Sequence, residues 1–245
     1  SLALGAYEVT PLEAANSYAT FASGGQFAAP VLVTKVVGPD GKELVLPAPP
    51  PARRVMNEDE AYLLTSLLSS VVKEGTATRA LSLARPLAGK TGTTNEAKDA
   101  WFIGYSTDLV CAVWVGFDDA LPLGWGESGA TTALPGWIEL MKNAHDKKPA
   151  TDFPRPPSLI SARIDPASGL LARSDQEDGR DELFLEGTVP TEVADGGVDA
   201  APEIDAGQPV DPEAMQAGVP AAEPAVVPDA EVTGDAGPSP ELPPF

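Results

Sequence analysis

The 245-residue chain has one cysteine, Cys111, and one histidine, His145. A single cysteine excludes an internal disulfide framework and a zinc site made of several cysteines. A single histidine removes most histidine-based metal sites and leaves one candidate base for a Ser–His–Asp triad. No apolar run approaches the roughly 20 residues that a membrane-spanning helix needs. Because cysteine and histidine are so scarce, we expect no metal ion, and we also expect no cofactor.

Basic residues are also scarce: the chain has 16 lysines and arginines against 36 aspartates and glutamates, a net charge of −20. Residues 151–245 contain 4 basic and 20 acidic side chains, whereas residues 1–150 contain 12 and 16. A protein that binds DNA or RNA needs clustered cations to neutralise the phosphates, and this chain has no such cluster. The composition therefore excludes nucleic acid as the default partner.

The composition changes near residue 190, and we predict three parts. These are a main domain over residues 1–150, a terminal extension with short strands over 151–190, and an acidic Pro/Ala-rich tail over 191–245. The last 65 residues have 15 acidic side chains, 11 prolines and no lysine or arginine, so the tail is predicted to be disordered. A partner-binding tail is the alternative. Because the chain begins at Ser1, within what reads as structured sequence, we expect it to be a fragment.

Capping signals and hydrophobic periodicity predict helices around an antiparallel sheet, an α+β fold. Thr10 and Glu13 form one predicted capping box, and Asn57 and Glu60 form a second at the start of a helix that runs to about Lys73. The predicted inner faces of these helices are Leu12, Ala15, Ala19 and Ala22, and Ala61, Leu64, Leu67, Leu68, Val71 and Val72. The predicted strands are Val31–Val37 and Lys42–Leu46, paired as a hairpin, then Leu87–Thr94, Ala100–Tyr105, Leu109–Phe117, Leu159–Ile164 and Glu182–Leu185, with a third helix around Ser128–His145.

The segment Gly89-Lys90-Thr91-Gly92-Thr93-Thr94 carries the most chemical information in the chain. A phosphate-binding loop that ends in Gly-Lys-Thr also needs a glycine five positions earlier, so that the backbone can wrap around the phosphate. Ala84 occupies that position, and Pro86 removes an N–H from the loop. A nucleotide-binding site is therefore rejected.

An edge strand that lines an acyl-transfer site is the second interpretation of this segment. In an extended chain, Thr91 and Thr93 lie on one side, and their hydroxyls can bind a substrate carboxylate. Gly92 allows a peptide to approach, the Thr93 N–H can point at a developing oxyanion, and Lys90 supplies a fixed cation. A surface turn rich in threonine and glycine fits equally well, so these residues alone leave both interpretations open.

Segments on both sides of Lys-Thr-Gly match one protein family in order and spacing over roughly residues 1–190. They are Leu4-Gly5, Glu8–Glu13, Tyr18–Ala22, Gly24-Gly25, Val71-Val72, Gly75–Ala77, Gly89–Asn95, Asp99–Tyr105, Val113–Gly116, Ile164–Pro166, Gly169–Ala172, Phe184 and Gly187–Pro190. Together they resemble the transpeptidase domain of class A penicillin-binding proteins, the bifunctional peptidoglycan synthases. The resemblance implies a penicillin-binding/serine β-lactamase-like fold that is incomplete at its N-terminal side.

The resemblance also implies roles for individual residues. Lys90 belongs to the active-site hydrogen-bond network, near the serine of the family's middle motif. Thr91 and Thr93 hold the terminal carboxylate of a D-Ala-D-Ala stem peptide or of a β-lactam, and the Thr93 N–H supplies half of the oxyanion hole. Gly92 and Thr94 complete the predicted substrate-binding set.

The family's nucleophile is missing from this pattern. Ser70-Val71-Val72-Lys73 matches Ser-x-x-Lys, but Val71 and Val72 lie on the predicted inner face of a helix, and Ser70 and Lys73 lie toward its outer side. The match also comes just before Lys-Thr-Gly instead of far upstream, and no Ser-x-Asn occurs in the chain. We interpret the match as coincidental and expect the nucleophile in a missing N-terminal half.

For the intact protein, the resemblance implies a peptidoglycan D,D-transpeptidase at the periplasmic or extracytoplasmic face of the cell membrane. Its implied partners are stem peptides on lipid II-derived glycan strands, with β-lactams as inhibitors, and the family also has a glycosyltransferase domain and an N-terminal membrane anchor. The isolated chain is expected to be inactive. The alternatives are a D,D-carboxypeptidase, in which water replaces the acceptor amine, and a non-catalytic binding or scaffold module.

The other reactive side chains have structural interpretations. Ser128 is predicted to cap a helix and not to be a nucleophile elbow, because Ala130 replaces the second glycine of that motif. His145 is predicted to lie at a helix end and Cys111 in the core. Asp118-Asp119 is interpreted as a strand end, since two carboxylates without further ligands do not make a metal site.

Overall fold

The computed structural model describes residues 8–194 of the chain. Residues 195–245, which make up nearly all of the predicted tail, lie outside the described residues. In chain order, the described residues form α1 (Pro11–Ala22), β1 (Gln26–Phe27), β2 (Arg53–Arg54), α2 (Glu58–Lys73), β3 (Ala88–Thr93), β4 (Asp99–Tyr105), β5 (Val110–Gly116), α3 (Leu134–Ala144), β6 (Ile160–Ile164) and β7 (Arg180–Phe184). The predicted α+β class, with an antiparallel sheet and flanking helices, is confirmed. Among the described helices, none is both long enough and apolar enough to cross a membrane.

Both predicted capping boxes start their helices as expected. The Thr10 hydroxyl accepts a hydrogen bond from the Glu13 N–H at 3.2 Å, and the Glu13 carboxylate accepts one from the Thr10 N–H at 2.9 Å. Asn57 and Glu60 make the same reciprocal pair at the start of α2, with distances of 2.7 and 3.1 Å. These bonds satisfy backbone donors that have no partner within the helix, which is why the two boundaries follow from the sequence.

The predicted inner faces of these helices are partly wrong. Leu67 is 66% exposed and Leu12 is 46% exposed, whereas the apolar pattern predicts both on the inner side. The buried row of α2 instead includes Thr65, whose hydroxyl lies 2.8 Å from the hydroxyl of Tyr105. A threonine can occupy the interior because its hydroxyl is hydrogen-bonded there, and a pattern of apolar residues cannot reveal this.

The central sheet has three antiparallel strands in the order β3-β4-β5. Its register places Gly92 opposite Trp101 and Trp101 opposite Trp114. All three strands were predicted to within two residues. In the described part of the chain β3 forms one edge of this sheet, so one side of the Lys-Thr-Gly strand has no strand partner.

Helices cover both faces of the sheet. On one face, Trp137 of α3 packs edge-on against Phe102 at 4.8 Å, and its ring N–H donates to the Cys111 carbonyl at 3.0 Å. On the other face, Tyr105 packs with Tyr18 of α1 and with the α2 side chains, and burial raises its pKa to about 12. Cys111 is buried, as predicted, and this burial raises the pKa of its thiol, which makes it a poor nucleophile.

The predicted hairpin over Val31–Val37 and Lys42–Leu46 is the main error in the secondary structure. Only its tip forms: Gly38 N donates to Lys42 O at 2.8 Å, and Val37 and Glu43 make one isolated bridge. Most apolar residues of both arms are exposed, with Val45 at 98%. An isolated strand pair is marginal in water, and within the described residues these arms have no third strand or helix to cover them.

The terminal extension forms a hairpin of its own, β6 and β7. Leu171 N donates to Glu192 O, and Ala194 N donates to Leu171 O, both at 2.9 Å. The bonded segment therefore reaches Ala194, four residues beyond the predicted boundary. Ser158 donates to Asp59 of α2 at 2.5 Å, which ties the extension to the main domain.

Asp165 closes the turn between the two strands. Hydrogen bonds from the Ser168 hydroxyl, the Gln176 side chain and the Ala167 N–H lower the pKa of its carboxyl from 3.8 to about 2. Because the charged form is the one that these donors stabilise, the contribution to folding is present above pH 3.8 and disappears as the pH falls toward 2.

We expect Asp165→Ala to lower the melting temperature at neutral pH and to lose this effect between about pH 4 and pH 2, where the wild-type carboxylate becomes protonated. Melting curves of wild type and variant across this range test the prediction. Asp178→Ala, at an exposed carboxylate of the same segment, is the control and should have little effect. A difference that stays constant from pH 7 to pH 2 would contradict the role of the charge.

Candidate functional site

The backbone of β3 directs two amides away from the sheet. Thr94 N donates to Asp99 O at 3.1 Å, so this pair is hydrogen-bonded across β3 and β4. In an antiparallel ladder, residues alternate between bonded and non-bonded pairs, which places Gly92 and Lys90 in bonded pairs as well. The N–H groups of Thr91 and Thr93 therefore point toward the open edge of the sheet.

The Thr91 and Thr93 side chains share the sheet face that α3 covers, and each hydroxyl contacts a different loop. Thr93 Oγ1 accepts a hydrogen bond from Gly129 N at 3.0 Å, at the start of the π-helical turn Gly129–Ala133. Thr91 Oγ1 lies 2.8 Å from Thr76 Oγ1, in the loop that follows α2. The predicted pair of hydroxyls is thus on one side of the strand and held in place by its neighbours.

Lys90 supplies a positive charge at the same strand. Its side chain is exposed, and its ammonium donates to Thr91 O at 3.2 Å. Over residues 8–194 no carboxylate forms an ion pair with it, whereas Lys98 in the next turn pairs with Glu96 at 2.8 Å. The charge of Lys90 is therefore available to an anionic ligand or to a group from another part of the protein.

Gly92 is packed on both faces of the sheet. A methyl group on Gly92 would lie 3.2 Å from Trp101 Cβ on one face, where the Trp101 and Trp114 rings pack at 6.3 Å. On the opposite face, a methyl group on Gly129 would lie 2.7 Å from Gly92 O and 2.3 Å from Trp101 O. Glycine at these positions lets the turn and the strand come into backbone contact. This packing role is in addition to the role predicted for Gly92 from the sequence, which is to let a peptide ligand approach the strand.

Asp99 is a site residue that the sequence analysis missed. It closes the turn between β3 and β4, because its N–H donates to Thr94 Oγ1 at 2.8 Å and its carboxylate accepts from the Thr94 hydroxyl at 3.1 Å. The same carboxylate accepts the ring N–H of Trp114 at 2.9 Å. The Thr94 hydroxyl is thus engaged within the turn, and a substrate contact by Thr94 stays a prediction. The signals in the sequence were a threonine and an aspartate five residues apart across a turn, and the place of Asp99 at the start of the family-like segment Asp99–Tyr105.

The remaining candidates have structural contacts of their own. Ser70 Oγ donates to Ser66 O of its own helix at 3.4 Å, and Ser128 caps the π-helical turn as predicted. His145 follows α3, where its Nε2 lies 2.8 Å from Ser106 Oγ. Both members of this Ser–His pair are buried, so it has no access to a ligand. No cluster of three or more His, Cys, Asp or Glu side chains that could hold a metal ion occurs within residues 8–194.

Comparison with known proteins links this geometry to one family. The family model for the penicillin binding protein transpeptidase domain matches residues 1–133, and the model for the C-terminal domain of penicillin-binding protein 1A matches residues 155–197. The chain is 36% identical to penicillin-binding protein 1A of Pseudomonas aeruginosa, over 86% of this chain and 32% of that protein. It is 42% identical to penicillin-binding protein 1A of Aquifex aeolicus, over 78% and 26%. The chain thus spans about a third or less of the length of these relatives.

Solved structures agree with the sequence comparisons. The crystal structure of penicillin-binding protein 1A from Haemophilus influenzae matches 78% of this chain and 34% of that chain, with a TM-score of 0.71 and 35% identity. The penicillin-binding protein PonA1 from Mycobacterium tuberculosis matches 63% of this chain and 43% of that chain, with a TM-score of 0.57 and 29% identity. The described fold is therefore the one found in these proteins.

We expect Gly129→Ala to destabilise the protein by at least about 2 kcal/mol, because the new methyl group would overlap two carbonyl oxygens and push the turn away from Thr93. Gly136→Ala is the matched control. It lies in α3 with no atom closer than 4.0 Å to the new methyl group, and alanine should stabilise the helix by about 0.5–1 kcal/mol. Denaturant unfolding measures both; equal effects would contradict the close contact at Gly129.

Proposed function

Because the chain belongs to the penicillin-binding protein transpeptidase family, we propose that it supplies the substrate-binding strand of a peptidoglycan D,D-transpeptidase. One observation carries this proposal. Within residues 8–194, an open β-edge combines two hydroxyls, an outward amide and a lysine without an ion pair in four residues, Lys90 to Thr93. This is the set of groups that binding a carboxylate and stabilising an adjacent oxyanion requires.

In the proposed reaction, a serine from another part of the polypeptide attacks the D-Ala-D-Ala carbonyl of a stem peptide. The Thr93 N–H donates to the oxyanion, and the Thr91 and Thr93 hydroxyls bind the terminal carboxylate. The D-Ala amine leaves with a proton, and an ester joins the peptide to the serine. The amine of a second stem peptide then attacks this ester, forms the cross-link and releases the serine.

The proposed substrates are stem peptides on lipid II-derived glycan strands, and β-lactams are the proposed inhibitors. A β-lactam carries a carboxylate beside a reactive amide, so the same hydroxyls and the same N–H can bind it. Such chemistry takes place on the periplasmic or extracytoplasmic face of the cell membrane, which is the proposed location. Lys90 contributes a positive charge near the serine and the substrate anion, and this charge favours the binding of the anion.

We expect Lys90→Ala, in the whole polypeptide that contains this chain, to lower the rate of acylation by a fluorescent penicillin at least about 100-fold, because it removes a fixed charge from the site. Lys98→Ala is the matched control, since Lys98 pairs with Glu96 on the adjacent turn and should label like wild type. Full labelling of Lys90→Ala would contradict the role of Lys90. An adduct mapped to Ser70 would overturn the interpretation of that serine as non-catalytic.

The reaction products separate the proposed transferase from a D,D-carboxypeptidase. A whole polypeptide supplied with pentapeptide-bearing glycan strands should release D-Ala and form peptide dimers, which mass spectrometry detects. Release of D-Ala without dimers, in the presence of acceptor strands, would indicate hydrolysis. A protein that neither releases D-Ala nor reacts with penicillin would indicate the non-catalytic module.

A further inference from the structure

Thr76 extends a hydroxyl from a loop that is fixed on both sides. Before it, Gly75 lies against the last turn of α2, where an added methyl group would be 2.8 Å from Val71 Cα. After it, Ala77 is fully buried, and its N–H donates to Val71 O at 3.0 Å. Thr76 itself is exposed, and its Oγ1 lies 2.8 Å from Thr91 Oγ1. The loop therefore holds this hydroxyl against the proposed carboxylate-binding strand.

The direction of the hydrogen bonds determines which protons a ligand can use. A hydroxyl has one proton to donate, and a carboxylate can only accept. Gly129 N–H can only donate to Thr93 Oγ1, so the proton of Thr93 remains available to a ligand. The bond between Thr76 and Thr91 can run in either direction. If Thr76 donates, the hydroxyl proton of Thr91 is also available to a ligand. If Thr91 donates, its proton is used in this bond and is not available.

We propose that Thr76 is a positioning residue of the carboxylate-binding site. It donates its proton to Thr91 Oγ1, so that Thr91 and Thr93 both present their protons to the terminal carboxylate of the substrate or of a β-lactam. Thr76 and Gly129 thus have equivalent tasks, one for each hydroxyl of the pair. This inference rests on the function proposed above and adds a residue outside the Lys-Thr-Gly segment to the site.

The experiment compares Thr76→Val, Thr76→Ser and the control Thr78→Val in the whole polypeptide. Valine keeps the shape of threonine and removes the hydroxyl, and serine keeps the hydroxyl. Thr78 is exposed two residues further on, at the start of the 3₁₀ helix Thr78–Leu83. Rapid-mixing kinetics with a chromogenic penicillin give the dissociation constant of the complex before acylation and the rate constant of acylation separately.

We expect Thr76→Val to raise the dissociation constant about tenfold, because a hydrogen bond to a charged group is lost or misdirected. The acylation rate constant should change less than threefold, and both Thr76→Ser and Thr78→Val should bind like wild type. Both constants describe the folded molecules, so a smaller active fraction of a variant does not alter them. A wild-type dissociation constant for Thr76→Val would overturn the inference.

A double-mutant cycle tests whether Thr76 acts through Thr91. Thr91→Val should itself raise the dissociation constant, and Thr76→Val should then have no further effect. An undiminished effect of Thr76→Val in the Thr91→Val background would overturn the positioning role. If the wild-type polypeptide does not react with penicillin at all, the proposed function fails; if it reacts and Thr76→Val binds normally, only this inference fails.

Discussion

The antiparallel pairing of β3 with β4 is the interaction on which the rest of the site depends. It is fixed at one end by the Thr94 N–H bond to Asp99 O and by the side-chain bonds between the same two residues. Because bonded and non-bonded pairs alternate, this register alone decides that the Thr93 N–H points outward. A shift of the register by one residue would turn that N–H toward β4 and exchange the sheet faces of Lys90 and Thr91.

Packing on both faces holds this strand in one position. Gly129 lies in backbone contact with Gly92 from one side, and Trp101 contacts Gly92 from the other. Asp99 connects the β3–β4 turn to the pair of tryptophan rings on this face. It is hydrogen-bonded within the turn, and it accepts the N–H of the Trp114 ring that packs against Trp101. The Thr93 N–H at the open edge and the two hydroxyls on the adjoining face are therefore already oriented for the proposed ligand. Groups that need no rearrangement on binding are the ones that favour catalysis.

Local signals explain which parts of the fold could be predicted. Two kinds of feature depend only on neighbours in sequence, and both are confirmed. They are the capping boxes at Thr10 and Asn57 and the closely spaced strands from Ala88 to Gly116. The hairpin arms around Pro39–Gly41 have the composition of strands, but strand composition needs a surface to pack on. Leu67 is exposed for a related reason. Its burial depends on how α2 lies against the sheet, which the spacing of apolar residues along the helix does not determine.

The amino-acid sequence by itself determined the Lys-Thr-Gly strand and the family, because residue types and their spacing along the chain are enough to identify both. It also gave the candidates from Lys90 to Thr94, which lie within one short segment. The contacts of that segment were decided by the tertiary structure. Thr76 lies 15 residues from its partner Thr91, and Gly129 lies 36 residues from its partner Thr93. Asp99 lies 15 residues from Trp114, whose ring N–H it accepts. A hydroxyl whose oxygen accepts a hydrogen bond keeps its own proton for another acceptor. In this site the donors to the two hydroxyls come from loops that are distant in sequence, so only the folded structure identifies them.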